Sequence, residues 1–464
     1  MKKLSFVIIL LVSFSILSFA GDWKPIRSQQ PVNASVELVS SDISTSVVHF
    51  KLDGFFLNEV KTSHGKAYSL SVGEATPILE KGAPSLPKMT TSVIIPDLAM
   101  MDIEMVASSF VEFTDMEIAP SKGNLTRDID PSSVPFEYGR PYDENKFYPG
   151  NESGLRDPFV LRDYRGQTII AYPFQYNPVT KVLRVYTDIT LKLKVANNSG
   201  YNVFSRNQLP TRIDPDFSQA YSRIFLNNTS NSDYTPLDDY GRMLIISHAN
   251  YLSAMQPFVD WKNSMGIKTE MVDIATVGAN AAAIKSYVSD YYNTNGLTFL
   301  LLVGDGPQVP TNTTGSLGGP SDVAYGYLVG NDHYPDVFVG RFSAEKVEHV
   351  NTMVQRTIKY EKEPLTSTAW FDKGVGIASD QGPGDDNEMD FEHMQNIRTD
   401  LLGFTYTTVA ELYDGSQGGE DLPGNPTPTN VSTEVNAGRS IINYVGHGSD
   451  NSWGTTGFSN NNVN

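Results

Sequence analysis

From Gly241 to the end of the chain, short apolar runs alternate with longer amphipathic segments, and this grammar constrains the fold more than any other feature. MLIIS (243–247), KTEMVDI (268–274), FLLLV (299–303), VFVGRFS (337–343), VGIASD (375–380) and IINYV (441–445) have the length and apolar content of buried strands. Between them stand AAAIKSYVSDYY, VEHVNTMVQRTIKYEKE and MDFEHMQNIRTDLLG, with the spacing of amphipathic helices. Strands that are apolar on both sides and alternate with helices predict an α/β domain with a mostly parallel sheet covered on both faces.

Upstream the period changes from helical to two. Segments such as VVHFKLDGFFLNEV, MDIEMVASSFVEF and LRVYTDITLKLKV, separated by turn residues, predict an all-β domain of sandwich type from residue 21 to 197. Residues 198–239 are poor in apolar side chains and rich in Asn, Ser, Thr and Asp, which reads as an exposed linker and a processing region. Arg206, Arg212 and Arg223 lie in it. Residues 1–20 carry Lys2 and Lys3, the apolar VIILLVSFSIL and a small-residue site at Ser18-Phe19-Ala20, the pattern of a secretory signal. The expected order is signal (1–20), β-rich domain (21–197), linker (198–239) and an incomplete α/β domain (240–464).

A net charge of −18 argues against nucleic acid and anionic membranes as partners, since both demand a basic surface; a basic, extended substrate suits it better. Cysteine is absent, so these residues hold no disulfide, thiolate metal site or thiol nucleophile. No run after the signal is long and apolar enough to span a bilayer. Export without disulfides points to a secreted or bacterial envelope protein held together by core packing, with calcium as a candidate structural ion. Strand–helix junctions lack GxGxxG, GxxxxGK[ST] and GxSxG, so dinucleotide, P-loop and serine-hydrolase readings have no motif to stand on.

The last apolar strand ends in Gly446-His447-Gly448-Ser449. Open α/β sheets place their chemistry at the carboxyl ends of strands. His447 is thus a candidate general base, and the N–H of Gly448 a candidate donor to an oxyanion, against the plainer reading of a polar residue in a turn. Asp332 and Asp336 in NDHYPD are candidate calcium ligands, although calcium prefers six or more oxygens and hydrogen bonding within the loop is the competing account. His49 and His64 are isolated and read as structural or solvent-facing.

Several blocks together resemble the gingipain-type cysteine peptidases: FLLLVGD, SDVAYGYLVGNDHYPDVFVGRFSAE (321–345), IASDQGPGDDNEMDFEH and NYVGHGSDNSWG, with YTPLDDYGRMLII matching the start of the mature catalytic domain. The resemblance implies a β-rich, sandwich-like inhibitory propeptide followed by a caspase-like α/β catalytic domain. It makes His447 the catalytic histidine and Gly448 the oxyanion-hole glycine. Asp380 becomes the candidate acid that orients the imidazole, because Gln381 stands where the family carries glutamate. Asp390 matches the acid at the base of the pocket for the residue before the scissile bond, where a buried carboxylate selects Arg or Lys; the competing account is that it complements a helix dipole.

Two departures accompany the resemblance. The family's nucleophilic cysteine lies on the next strand after the histidine, so it is expected beyond Asn464. Asp233 rather than a basic residue precedes Tyr234, so processing is expected at Arg223 or Arg212, by another protease, or not at all. The resemblance implies a secreted or cell-surface endopeptidase zymogen that needs no cofactor for catalysis and acts on protein or peptide substrates after Arg or Lys, with surface attachment through a further C-terminal region. Two alternatives remain open: the related peptidase that trims sorting signals in type IX secretion, and a catalytically inactive surface-binding protein that keeps the fold.

Overall fold

The computed structural model describes residues 21–126, 129–206, 212–228, 237–238, 241–314, 319–363, 368–382 and 388–463. The secretory signal of residues 1–20 lies outside the described residues.

The first half is antiparallel β-structure, as its period of two requires. Strands β1 (Thr45–Lys51), β2 (Pro87–Ile94), β3 (Met100–Phe113), β4 (Phe159–Leu161), β5 (Tyr164–Ala171) and β6 (Val182–Asn197) carry most of the pairing. β6 lies between β3 and β1 in one five-stranded sheet, and β5 lies between β4 and β2 in another. Alternate residues of β1 and β6 (Val48, Phe50, Leu183, Val185, Ile189, Leu191, Leu193) point into one core with Met89, Val93 and Ile169 from the other sheet, the side-chain arrangement of a sandwich.

The stretch expected to be an exposed linker contains helix α1 (Pro215–Ile224). Asp214 caps it, accepting from the N–H of Asp216 at 2.9 Å, and Pro215 occupies the first turn. Phe217, Tyr221 and Phe225, four residues apart, bury one face against Phe159 and Leu161.

The second half alternates strand and helix. β7 (Met243–Ser247), α2 (Leu252–Ser264), β8 (Thr269–Asp273), α3 (Ala281–Asn295), β9 (Phe299–Val303), β10 (Phe338–Phe342) and α4 (Val347–Lys362) build a parallel sheet in the order β8-β7-β9-β10. Even-numbered Leu244, Ile246, Leu300 and Leu302 pack on Ile284 and Val288 of α3. Odd-numbered Ile245, Leu301 and Val303 pack on Met255 and Phe258 of α2 and on Val350 and Val354 of α4. Burial on both faces is what the near-continuous apolar runs demanded.

β11 (Lys373–Ala378), α5 (Asp390–Phe404), β12 (Thr408–Tyr413), α6 (Pro428–Asn436) and β13 (Ile441–Val445) form a second parallel sheet, in the order β12-β11-β13. The expected single sheet is thus two parallel sheets, and β12 and α6 are elements the sequence pattern had not marked.

Candidate active site

Register places the candidate residues at one edge. Ala378 of the central strand pairs with Tyr413 on one side and Val445 on the other. The three strands therefore end abreast, and Ser379, Asp414 and Gly446 leave them at the same carboxyl edge. The pairing extends one step further: Ser379 N–H donates to the Val445 carbonyl at 2.9 Å, and Asp414 N–H to the Ala378 carbonyl at 2.9 Å.

His447 follows directly on β13 and is exposed. Its backbone, rather than its ring, is what the structure fixes. The Tyr444 hydroxyl donates to the His447 carbonyl at 2.5 Å, and the Gly454 N–H donates to the same oxygen at 2.7 Å. Tyr444 stacks on Trp453 with ring centroids 5.0 Å apart, and Trp453 lies 5.4 Å from Phe458, which anchors the returning loop on the apolar core under β11. A side chain at Gly454 would put its Cβ 2.6 Å from the His447 carbonyl oxygen, so only glycine allows this close approach. Gly448 pairs with Trp453 in an antiparallel bridge, but its neighbours carry the bonds: Ser449 N–H to Ser452 and Gly454 N–H to His447. The Gly448 N–H stands outside that pairing, one residue after His447.

Asp390 opens α5 and is only 1% exposed. The Ser379 hydroxyl donates to its carboxylate, and its own N–H donates to the Gln381 carbonyl at 2.8 Å. Ser379, itself buried, stands beside Gly446 in register, so a desolvated carboxylate lies under the edge that carries His447.

Asp380 is exposed at the end of the central strand. Burial pushes the carboxyl of Asp414 up, and the negative charge of Asp380 adds to this, so Asp380 acts on the β12 side of the edge. Among the described residues no carboxylate hydrogen-bonds the His447 ring. The structure thus brings His447, Gly448, Asp380 and Asp390 to one edge without joining Asp380 directly to the histidine.

Asp332 and Asp336 lie elsewhere, just before β10. Asp336 is fully buried, and its oxygens accept N–H groups from Leu328 and Val329, each at 2.7 Å, and from Arg162 at 2.9 Å. Asp332 accepts from Val160 N–H and from the Asn202 amide, each at 2.8 Å, and from Tyr334 N–H at 3.0 Å. All four carboxylate oxygens accept N–H groups, and among the described residues no group of three or more His, Cys, Asp or Glu side chains gathers. These hydrogen bonds tie the loop to β4 and to the segment before β10.

Sequence reasoning overlooked Ser379, Tyr444 and Trp453. The YVGHGSDNSW block contained the signal: an aromatic three residues before the histidine and another six after it.

Residues 237–464 match peptidase family C25, and residues 27–209 match the C25 propeptide. Gingipain R2 of Porphyromonas gingivalis is 39% identical over 467 aligned residues, covering 99% of this chain and 61% of that protein. Lys-gingipain HG66 of the same species is 26% identical over 87% of this chain and 23% of its own length. Among solved structures, the complex of Porphyromonas gingivalis RgpB pro- and mature domains shares 39% identity over 42% of this chain and 96% of that one, with a TM-score of 0.39. The chain thus spans about three fifths of the length of gingipain R2. With both patterns met in the family's order and identity running along nearly the whole chain, it belongs to the gingipain-type cysteine peptidases of family C25, propeptide included.

Proposed function

We propose that this chain is the propeptide and most of the catalytic region of an exported gingipain-type cysteine endopeptidase zymogen that cleaves after Arg or Lys. The observation that carries this reading is the carboxyl edge of β11 and β13, where His447, the N–H of Gly448 and the buried carboxylate of Asp390 come together. In this reading the imidazole of His447 takes the proton of a thiol, the thiolate attacks the scissile carbonyl, and the Gly448 N–H donates to the oxyanion that forms. The protonated imidazole then gives its proton to the leaving amine. Asp390 pairs with the basic side chain before the scissile bond, and Asp380 is the candidate acid for orienting the imidazole once substrate is bound.

The 464 residues contain no cysteine, so the thiol is assigned to sequence beyond residue 464. The test is to read the encoding frame past codon 464 and assay the full-length protein on Arg and Lys peptides. A cysteine ending the next apolar strand, with turnover that His447→Ala abolishes, supports the proposal. A strand ending in another residue would overturn it and leave a binding protein that keeps the fold.

A further inference from the structure

Arg162 and Asp163 form the two-residue turn between β4 and β5, closed by the Leu161–Tyr164 pair. Arg162 has φ +48°, a left-handed conformation that is strained for a residue with a side chain and that glycine adopts freely. The side chain at this strained position is engaged, and its hydrogen-bond acceptors belong to the α/β region, while Asp163 Oδ2 lies 3.6 Å from its Nε and the Phe217 ring comes from α1. Its guanidinium donates to the carbonyls of Leu297 at 2.5 Å and Asp336 at 2.7 Å and to the Thr298 hydroxyl at 3.3 Å, while lying 4.7 Å from the ring of Phe217 and 5.6 Å from that of Tyr292. Its backbone N–H reaches the Asp336 carboxylate at 2.9 Å. On either side, Val160 N–H donates to Asp332 at 2.8 Å, and Asn331 N–H donates to the Asn202 side-chain oxygen at 2.7 Å.

Strand polarity shows where this surface lies. Leu297 and Thr298 precede the first residue of β9, and Asp336 precedes that of β10, so the arginine sits at the amino ends of two parallel strands. His447 sits at the carboxyl end of a strand in the other sheet. We propose that the amino ends of β9 and β10, with the loop through Asp332 and Asp336, form a docking surface for an arginine presented on a β-turn, and that its occupation by Arg162 holds the β-rich region on the α/β region independently of the catalytic edge. Three carbonyl or hydroxyl acceptors and two aromatic faces suit a planar guanidinium; the compact ammonium of lysine fits them less well. The proposal stands apart from the peptidase reading, because its test needs no turnover.

The test is backbone hydrogen exchange on the intact chain, read at the three amides that cross between the regions: Val160, residue 162 and Asn331. Leu300 and Leu302 in β9 and Ile169 in β5 serve as internal references. Arg162→Gly removes the guanidinium while relaxing the turn, and Arg162→Lys keeps the charge without the fork. The expected result is at least tenfold faster exchange at the crossing amides in Arg162→Gly, a smaller acceleration in Arg162→Lys, and unchanged references. Unchanged crossing amides in both variants would overturn the proposal. So would equal acceleration at Leu300, Leu302 and Ile169, which would make Arg162 a folding residue rather than a docking one.

Discussion

The hydroxyl of Tyr444 donates to the carbonyl oxygen of His447 at 2.5 Å, across the turn that ends β13. The same hydroxyl meets the side chain and the N–H of Thr455, each at 3.3 Å, so one phenol ties the histidine to both sides of its loop. Tyr444→Phe keeps the stack on Trp453 and removes these bonds. We expect a loss of about 1 kcal/mol in urea-induced unfolding, together with a several-fold lower kcat and an unchanged KM in the full-length enzyme. A raised KM with unchanged kcat would show that the bond does not position the imidazole.

Asp390 is buried beneath the Ser379 hydroxyl, so replacing its charge with an isosteric amide tests its role directly. Asp390→Asn should lower kcat/KM for Arg and Lys peptides by about a hundredfold, since a desolvated ion pair is worth several kcal/mol, while leaving neutral substrates much less affected. Equal losses on both classes would assign Asp390 to the start of α5 rather than to the pocket.

Burial pushes the carboxyl of Asp336 up to about 6 from an ordinary 3.8, against the opposing N–H donors from Val329, Leu328 and Arg162; the charge of Asp332 adds to the rise. Lys285 and Tyr292 are the other titratable groups whose fields reach it. A carboxyl whose folded value lies above its unfolded one binds its proton more tightly in the native chain. Its ionisation therefore costs native stability above pH 6, and that cost fades as the pH falls towards 3.8. The stability of the wild type relative to Asp336→Asn should rise by about 1 kcal/mol between pH 7 and pH 5, measured by chemical denaturation. A difference that stays flat or falls would contradict this account.

Where hydrophobic period and burial coincide, the fold was legible in the sequence. Leu244, Ile246, Leu300 and Leu302 face α3 while Ile245, Leu301 and Val303 face α2 and α4, so the apolar runs are strands covered on both sides. β12 was hidden because Glu411 turns inward, its carboxylate 3.5 Å from Arg398 of α5, a polar interruption in an otherwise alternating strand. α6 was hidden because Thr429, Val431, Thr433 and Val435 are poor helix formers; the mutual capping of Thr427 and Asn430 and the proline at its start are its local signals. At the candidate site, the His-Gly pair was legible because it interrupts a strand pattern. The Ser379–Asp390 bond was not, because residues eleven apart meet only after β11 and α5 have packed.

Helix α1 bears on where the chain can be processed. Arg223 is exposed, but it lies in the last turn of α1, and Phe225 N–H still bonds the Tyr221 carbonyl beyond it. A protease requires an extended stretch of chain, so cleavage after Arg223 must wait for the helix to open, and its rate follows the free energy of that opening. The opening is resisted by Phe217, Tyr221 and Phe225, which are buried against β4, with Phe217 also against Phe338 at the start of β10. Phe217→Ala removes a ring that lies 4.5 Å from Phe338 and 4.7 Å from the Arg162 guanidinium; at about 3 kcal/mol for a buried phenylalanine, it should speed tryptic cleavage after Arg223 about a hundredfold. Mass spectrometry of the fragments against time reads this rate site by site. An unchanged rate at Arg223 would mean that the cleavable conformation is reached by local fraying of the last turn, and that the docked aromatic face does not guard this bond.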